Sequence, residues 1–382
     1  MKGMASVMKT VRVNASSKYE VVIGEGLLRS VGDAVSSVLH GEKIALVCDS
    51  NVEPLYADLV ESSLKKAGYS VSRFVFPAGE ESKCSKTYVS LLEFLAVRRL
   101  SRNDGIVALG GGVTGDLAGF AAATYLRGID FVQLPTTLLA AVDSSVGGKT
   151  GIDLEAGKNL CGAFHQPKLV LCDTDTMCTL DSATFACGMA EVIKYGVIRD
   201  AELFSLLERS SEKLSEVPSG NRDGESMALL EDVIASCVSI KRDVVEADEF
   251  EGGLRRILNF GHTAAHSIEK LSSFRVPHGA AVAAGMVVAG GYACKTGDFK
   301  ETDAERIKAL LHRYQLPSSV AECAERYGAS LAGFSAEAMA EAALSDKKRS
   351  GGNINLILPD SIGSCVIKSL DTGRLTEFFS ES

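Results

Sequence analysis

The stretch Ile106-Val-Ala-Leu-Gly-Gly-Gly-Val-Thr-Gly-Asp116 decides the fold class of this chain. Its first four residues are apolar, which is typical of a short buried strand. The glycines that follow lead into residues 117–125, where apolar side chains recur at helical spacing. A buried strand that turns through glycine into a helix predicts one unit of a parallel sheet covered by helices.

The same alternation of short apolar strands and helical stretches fills the first half of the chain. Further strands are predicted at residues 21–23, 43–48, 71–76, 131–134 and 169–172. Beyond residue 180 the spacing becomes helical, over residues 183–207, 227–245, 263–271, 280–293 and 303–314, with a polar loop at 210–226 and a hairpin of 355–359 with 365–368. We therefore predict an α/β domain with a parallel-rich, Rossmann-like sheet over residues 1–180, followed by a mainly α-helical domain over residues 181–382.

The composition and charge of the chain exclude several classes of protein. The 382 residues include 40 Lys and Arg against 49 Asp and Glu, and the net charge of -9 argues against a nucleic-acid partner. The uncharged run at residues 279–294 is shorter than the roughly 20 residues that a membrane span needs. The ten cysteines form no CxxC pair and resemble reduced, buried thiols, which predicts a soluble cytoplasmic protein without a membrane partner.

The glycine-rich turn also has the spacing of a nucleotide site. Gly110, Gly112 and Gly115 match the G-x-G-x-x-G pattern, in which backbone amides at a helix start bind a pyrophosphate. The alternative is a tight turn that needs glycine for its shape alone. Because ligands of parallel sheets bind at the carboxyl ends of the strands, polar residues after other strands favour the nucleotide site. These residues are Asp49, Asn51, Glu80, Glu81, Ser82, Lys83, Thr136 and Thr137.

A second glycine-rich patch carries positive charge. It consists of Asp143-Ser-Ser-Val-Gly-Gly-Lys149 and Gly157-Lys-Asn159, and it lacks the spacing of a Walker A loop. Lysines in glycine loops are often simply solvated, and the acidic net charge by itself argues against an anionic substrate. Two lysines, an aspartate and an asparagine beside a nucleotide site nevertheless indicate an anionic, hydroxylated substrate.

Three of the six histidines lie close together in sequence and suggest a metal site. His262 and His266 are one helical turn apart, and His278 stands at the expected start of the next helix. Upstream, Glu191 and Lys194 share one helical face. One carboxylate and two imidazoles with an open position form a catalytic zinc site, but the spacing does not decide which histidines are ligands. The alternative is that the histidines cap helices or fill the core and that Glu191 pairs with Lys194.

Taken together, these segments closely resemble the 3-dehydroquinate synthase family over essentially the whole chain. Several long motifs in the family's order are more specific than any single motif. The stretches that carry the resemblance are Gly110-Gly-Gly-Val-Thr-Gly-Asp116, Ala121-Ala-Ala-Thr-Tyr-Leu-Arg-Gly128, Gln133-Leu-Pro-Thr-Thr-Leu-Leu139, Asp143-Ser-Ser-Val-Gly-Gly-Lys149, Ala190-Glu-Val-Ile-Lys-Tyr-Gly196 and Leu258-Asn-Phe-Gly-His-Thr263. The resemblance implies a dehydroquinate synthase-like fold that binds NAD and one divalent metal, zinc or cobalt.

The resemblance also implies a role for each candidate residue. It assigns the metal to Glu191, His262 and His278, proton transfer to His266, and a further proton acceptor to Glu251. The substrate pocket that it implies consists of Arg127, Asp143, Lys149, Asn159, Lys194, Lys241, Arg255, Asn259 and Lys347. The NAD contacts that it implies are Asp49, Ser50, Asn51, Gly79, Glu80, Glu81, Ser82, Lys83, Gly111, Gly112, Val113, Thr114, Gly115, Asp116, Thr136, Thr137, Lys149, Lys158, Thr176, Met177, Cys178 and Thr179.

The activity that the resemblance implies is the conversion of 3-deoxy-D-arabino-heptulosonate 7-phosphate, an anionic sugar phosphate, into 3-dehydroquinate and phosphate. This lyase reaction belongs to the shikimate pathway of aromatic amino acid biosynthesis and combines NAD-dependent transient oxidation, phosphate elimination, reduction and aldol closure. Two alternatives stay open, another sugar-phosphate cyclase of the inosose or valiolone type and a glycerol dehydrogenase-like oxidoreductase. Arg255 together with Lys241 favours a substrate that carries a carboxylate. Members of the family are commonly homodimers.

The chain departs from the family at one position near the metal. Relatives often carry Glu two residues after the last ligand, whereas this chain has Ala280. A carboxylate that orients His278 would then be missing, and such partners tune metal affinity. We therefore expect weaker metal binding than in a relative with Glu at this position.

Overall fold

The computed structural model describes residues 8–220, 222–346 and 352–380, so that Lys347 lies outside the described residues. The chain divides into two compact units. The first, here the sheet unit, combines Met1–Leu180 with Val217–Phe250, and the second, here the helical unit, combines Asp181–Glu216 with Glu251–Ser382. None of the helices in the described ranges combines the length and the apolar character that a bilayer crossing requires.

The described residues contain eleven strands in three sheets. The strands are β1 (Lys9–Asn14), β2 (Lys18–Gly24), β3 (Lys43–Asp49), β4 (Ser70–Phe76), β5 (Gly105–Gly110), β6 (Asp130–Pro135), β7 (Lys149–Leu154), β8 (Gly157–Phe164), β9 (Leu169–Asp173), β10 (Asn353–Ser361) and β11 (Ser364–Asp371). Seven of them form one sheet in the order β1-β2-β9-β6-β5-β3-β4, in which only the β1 and β2 pair is antiparallel. The other two sheets are the antiparallel hairpins β7-β8 and β10-β11.

Some helices pack on the seven-stranded sheet, and others form most of the helical unit. They are α1 (Val31–Ser36), α2 (Asp58–Lys66), α3 (Ser85–Val97), α4 (Gly112–Thr124), α5 (Ser182–Arg199), α6 (Ala201–Ser215), α7 (Gly224–Ala247), α8 (His262–Leu271), α9 (His278–Lys295), α10 (Glu301–Arg313), α11 (Val320–Arg326), α12 (Ala336–Asp346) and α13 (Leu375–Phe379). Short 3₁₀ or π segments lie at Leu27–Ser30, Glu53–Ala57, Glu80–Ser82, Tyr125–Arg127, Ala140–Ser144, Thr174–Thr179, Val217–Ser219, Leu254–Asn259, Leu331–Phe334 and Thr372–Arg374.

The strand β3 shows why the strands of the large sheet have continuous apolar sequences. Ile44 and Leu46 pack with residues of α1 and α2 on one face of the sheet. Ala45 and Val47 pack with residues of α3 and α4 on the other face. Because helices cover both faces, successive side chains of the strand are all removed from water. The structure thus confirms the predicted parallel-rich sheet and the mainly helical second half of the chain.

Three strands were not predicted, namely β1, β7 and β8. The sequence predicts a glycine-rich loop where the hairpin β7-β8 lies, because Gly151 and Gly162 lower its strand propensity. The two glycines face each other across the hairpin, and a Cβ added at Gly162 would overlap the carbonyl oxygen of Thr150. The residues that weaken the sequence signal are therefore the ones that allow these two strands to approach closely.

The second half of the chain differs from expectation in two details. The predicted loop at 210–226 is shorter in the structure, since α6 continues to Ser215 and α7 begins at Gly224. Asp223 starts α7, because its carboxylate accepts the backbone N–H of Ser226 at 2.9 Å. The helix α7 packs on β1 and is grouped with the sheet unit rather than with the helical unit.

Candidate metal centre and nucleotide site

Three side chains of the helical unit form a candidate metal centre. Glu191 lies within α5, while His262 and His278 are the first residues of α8 and α9. Their ligand atoms lie within 4.8 Å of one another. Glu191 Oε1 is 3.3 Å from His278 Nε2 and 3.7 Å from His262 Nε2. Ligands of a tetrahedral zinc ion, each about 2.0–2.1 Å from it, lie about 3.4 Å apart, so the group fits a divalent ion.

Two glycines of α9 allow the three ligand-bearing helices to meet. A Cβ added at Gly279 would overlap the backbone carbonyl of Cys187 in α5, and one added at Gly285 would overlap the carbonyl of Gly261 before α8. Cys187 lies one helical turn before Glu191. The close approach at Gly279 therefore brings His278 to the carboxylate of Glu191.

The outer nitrogens of both ligand histidines have hydrogen-bond partners. His262 Nδ1 lies 3.1 Å from the carbonyl oxygen of Phe260, which fixes it as a donor. His278 Nδ1 lies 3.3 Å from Oε1 of Glu269, a residue of α8 that is 3% exposed. With Nδ1 held by these partners, each ring turns its Nε2 towards Glu191. The expectation that His278 lacks an orienting carboxylate because of Ala280 is therefore wrong.

The two rings differ in charge when no metal is bound. Burial lowers the pKa of His262 to about 3, so this ring is neutral, as a metal ligand must be. Burial also disfavours the charged form of His278, but hydrogen bonds to Glu191 and Glu269 outweigh it and raise its pKa to about 10. A divalent ion can replace the extra proton of His278, and the carboxylates of Glu191 and Glu269 already lie beside that ring.

Lys194 is held beside the metal ligands. It lies one turn after Glu191 on α5, its side chain is 1% exposed, and it forms an ion pair with the Glu191 carboxylate. Its ammonium group also lies 5.0 Å from the ring centre of Tyr195. A buried lysine fixed in this way presents a hydrogen-bond donor next to the metal centre.

Other candidate residues of the helical unit lie on α8 and in the chain segment before it. The ring of His266 is exposed, its centre lies 5.7 Å from that of His262, and it is not one of the three grouped ligands. Asn259 donates from Nδ2 to Glu251 Oε1 at 2.8 Å, which places these two candidates together. Arg255, in the same 3₁₀ segment as Asn259, is 1% exposed.

The nucleotide candidates of the sheet unit converge at one edge of the sheet. The chain passes from β3 outward to β4 and then returns to β5 on the other side of β3, so a crevice opens at their carboxyl ends. Asp49 ends β3, and its side chain accepts the backbone N–H of Asn51 at 2.8 Å. Thr114, in the first turn of α4 after β5, lies 3.4 Å from the same carboxylate. The predicted residues thus meet at the position where parallel sheets bind ligands.

The glycine loop packs closely against Thr137 and Ser144. A Cβ at Gly111 would come within 3.2 Å of Thr137, and one at Gly112 would come within 3.2 Å of Ser144 Oγ. The hydroxyls of Thr136 and Ser144 are buried and have no hydrogen-bond partner among the described residues. Buried hydroxyls beside a helix N-terminus fit an anion such as a pyrophosphate, and therefore fit NAD.

Lys83 connects the nucleotide candidates to the substrate candidates of the same unit. Its Nζ lies 2.6 Å from Asp116 Oδ2 and 2.5 Å from Asn159 Oδ1, and its side chain is 6% exposed. Burial disfavours its charge, but the charges of Asp116 and Glu80 outweigh burial and raise the pKa of Lys83. Lys158 Nζ lies 3.9 Å from Glu80 Oε1, so this second lysine belongs to the same cluster.

The remaining candidates of the sheet unit lie at several places. Lys241 of α7 forms an ion pair with Asp143, which precedes Ser144. Lys149 is exposed at the start of β7. Arg127 lies beyond the far end of α4, roughly 20 Å along the helix from the glycine loop. The structure does not bring Arg127 to this group, and its role stays a prediction.

The other predicted NAD contacts follow strand ends of the same sheet. Ser50 Oγ accepts the backbone N–H of Ala78 at 3.0 Å, which joins the ends of β3 and β4. The 3₁₀ segment Glu80–Ser82 and its preceding Gly79 follow β4, and Thr174–Thr179 follows β9. Within the latter, Thr176, Met177 and Cys178 are buried, whereas Thr179 is exposed.

Family models match the chain in two consecutive parts. One describes the 3-dehydroquinate synthase N-terminal region and matches residues 73–187, and the other describes its C-terminal region and matches residues 188–349. The chain belongs to the 3-dehydroquinate synthase family. The 3-dehydroquinate synthase of Clostridium acetobutylicum is 42% identical over 96% of this chain and 97% of that protein. These matches confirm the predicted family.

Solved structures related to this family have the same fold. A 2-deoxy-scyllo-inosose synthase complexed with carbaglucose-6-phosphate, NAD+ and Co2+ has a TM-score of 0.83 at 26% identity, over 98% of this chain and all (100%) of that one. The 2-epi-5-epi-valiolone synthase of Streptomyces hygroscopicus, with NAD+ and Zn2+ bound, has a TM-score of 0.82 at 27% identity, over 97% and 98% of the two chains. Identity to these cyclases is lower than the 42% shared with the 3-dehydroquinate synthase of Clostridium acetobutylicum.

Proposed function

We propose that the chain converts 3-deoxy-D-arabino-heptulosonate 7-phosphate into 3-dehydroquinate and phosphate, using NAD and one divalent metal ion, zinc or cobalt. The observation that carries the proposal is the grouping of Glu191, His262 and His278 in a member of the synthase family. Three protein ligands leave a coordination position for a substrate oxygen, as catalytic metal sites require. Related cyclases with NAD+ and Co2+ or Zn2+ bound support both cofactors.

The residues around the metal ligands prepare this site for proton removal. A divalent ion supplies Lewis acidity, which lowers the pKa of a bound substrate hydroxyl. His266 presents an exposed imidazole one turn from His262, and we assign it the transfer of the hydroxyl proton to solvent. Lys194 donates to a substrate oxygen from its fixed position beside Glu191. Glu251, oriented by Asn259, is assigned as a further proton acceptor.

We assign NAD to the carboxyl edge of the sheet at the adjacent strands β3 and β5, from which the chain continues towards opposite sides of the sheet. NAD supplies a hydride acceptor that returns the hydride later in the same cycle. The backbone amides from Gly111 onward and the hydroxyl of Thr136 donate to its pyrophosphate, while the carboxylate of Asp49 accepts from a ribose hydroxyl. The ammonium group of Lys83 balances the negative charge of the Asp116 carboxylate beside the bound pyrophosphate.

The substrate has a phosphate and a carboxylate, and we assign cationic and polar side chains to both. Lys149 and Asn159 bind the phosphate, with Arg127 and Lys347 as predicted further partners. Lys241 and Arg255 bind the carboxylate and the hydroxyls, with Asp143 fixing Lys241 through their ion pair. The acidic net charge of the chain is then carried by the rest of the surface.

A phosphate-release assay with identification of the product tests this function. With the heptulosonate phosphate, NAD and zinc or cobalt, we expect equimolar phosphate and 3-dehydroquinate, and no turnover after chelation of the metal. Glucose 6-phosphate, which lacks a carboxylate, serves as the matched control and should release none. Release from glucose 6-phosphate alone would instead favour the inosose type of cyclase.

We also propose that the protein works as a cytoplasmic homodimer. All ten cysteines are free, which suits a reducing compartment. Leu160 and Phe164 expose apolar surface on β8, which suits contact with a second copy. Light scattering of the purified protein should give twice the mass of the chain, and a monomer at micromolar concentration would contradict the dimer.

A further inference from the structure

The buried carboxylate of Glu269 has no role in the function proposed above. Glu269 stands two helical turns after His262 on α8, so both side chains lie on one face of that helix. It is 3% exposed, and a charged carboxylate is stable at such a position only when it is hydrogen bonded or paired. Its Oε1 lies 3.3 Å from Nδ1 of His278, on the side of the ring that faces away from Glu191.

The main chain of Glu269 also shapes the connection that delivers His278. Its carbonyl oxygen accepts the backbone N–H of Phe274 at 2.7 Å and the hydroxyl of Ser272 at 2.9 Å. The hydroxyl of Ser272 in turn accepts the backbone N–H of Val276 at 3.3 Å, two residues before His278. Glu269 thus holds the loop through its backbone and the imidazole at the end of that loop through its side chain.

His278 depends on such a partner more than His262 does. The side chain of His278 is 35% exposed, against 12% for His262, so packing restricts its ring less. His262 is also oriented by a neutral carbonyl of its own chain segment, two residues away. A carboxylate on Nδ1–H fixes the ring and raises the basicity of Nε2 more than a neutral carbonyl can.

We propose that Glu269 is a positioning residue for the metal centre, which acts through His278 to set metal affinity. The proposal rests on the metal site of the proposed function. The proposal also explains how the chain can carry Ala280 where relatives often have Glu. The carboxylate that orients His278 comes from Glu269 of the preceding helix instead. Removal of partners of this kind lowers metal affinity roughly 10–100-fold.

The test measures binding of Co2+ to the purified protein without substrate. Affinity is determined by competition with a chromophoric chelator, and the visible absorption of bound Co2+ reports the ligand geometry. The variants are Glu269→Gln, which keeps the volume but removes the charge, Glu269→Asp, which keeps the charge, and Glu231→Gln. Glu231 is the matched control, because it is also 3% exposed but belongs to α7 of the sheet unit.

We expect Glu269→Gln to weaken Co2+ binding at least tenfold and to change the Co2+ spectrum, and Glu269→Asp to restore part of the affinity. Glu231→Gln should bind Co2+ like the unmodified chain, even where its melting temperature falls. The role of Glu269 would be overturned if Glu269→Gln bound Co2+ with an affinity within twofold of the unmodified chain, or if Glu231→Gln lost as much Co2+ affinity as Glu269→Gln. Either result would leave the metal site itself in place. Failure of the unmodified chain to bind Co2+ would overturn the metal site of the proposed function as well.

Discussion

Gly279 lies directly against the backbone of Cys187, so that a side chain of any size at position 279 would overlap the Cys187 carbonyl. This contact joins the first turn of α9 to α5 beside two of the three grouped ligands, His278 and Glu191. The metal centre is therefore built on the packing of helices rather than on a loop, and it should respond to changes in that packing.

The substitution Gly279→Ala should damage the metal centre. Because backbone atoms cannot move aside like the end of a flexible side chain, the added methyl group would push α9 from α5 at a cost of about 1–3 kcal/mol. We expect Co2+ affinity to fall more than tenfold in chelator competition. Gly290→Ala is the control on the same helix, since a Cβ there meets no atom within 4 Å. Equal Co2+ affinity in the two variants would show that the close approach is not needed.

The substitution His262→Ala should remove metal and turnover together. His262 is one of three grouped ligands, and two remaining ligands hold a divalent ion weakly. Metal content by elemental analysis and phosphate release by a coupled assay provide the two readouts. His312→Ala, at an exposed position on α10, should keep both. Turnover by metal-free His262→Ala would contradict the ligand assignment.

Much of the fold could be predicted because each buried strand is recognisable in the sequence as a short apolar run. Lys43–Asp49 is apolar almost throughout, since α1 and α2 cover one face and α3 and α4 cover the other. The hairpin β7-β8 gave no such signal, because its glycines serve the close approach of the strands. The placement of α7 against β1 depends on contacts between distant parts of the chain, which periodicity cannot reveal.

The candidate site could be predicted from the sequence only in part. The spacing of His262 and His266 on one helical face left open which histidines are ligands. The family resemblance assigned His262 and His278, and the structure groups these two with Glu191. Glu269 was missed because its contact with His278 arises only when α8 and α9 fold back on each other. The one available signal was its position two turns after His262, on the same helical face.

The substitution Lys194→Met should separate catalysis from metal binding. The ammonium group repels a nearby divalent ion, so its removal should leave Co2+ affinity unchanged or higher. Turnover should fall roughly 10²–10⁴-fold, because a fixed proton or hydrogen-bond donor to the substrate is lost. Parallel measurement of Co2+ affinity and kcat checks both parts. A variant that loses metal and activity in equal measure would assign Lys194 a purely structural role.

The substitution Lys83→Met should weaken NAD binding. Lys83 pairs with Asp116 and Asn159, and its loss leaves the half-buried Asp116 carboxylate without this cation beside the pyrophosphate position. We expect the dissociation constant of NAD, measured by calorimetry, to rise at least tenfold. Lys86→Met, at an exposed position of α3, is the control and should bind NAD normally. Equal affinity in the two variants would remove Lys83 from the nucleotide site.

The balance of NAD during turnover tests the central proposal most directly. With the heptulosonate phosphate and a divalent metal, each phosphate released should be accompanied by one 3-dehydroquinate. No reduced NAD should accumulate, because the hydride taken from the substrate is returned within the same cycle. Accumulation of reduced NAD in proportion to substrate consumed, without phosphate release, would contradict the synthase and indicate a simple dehydrogenase.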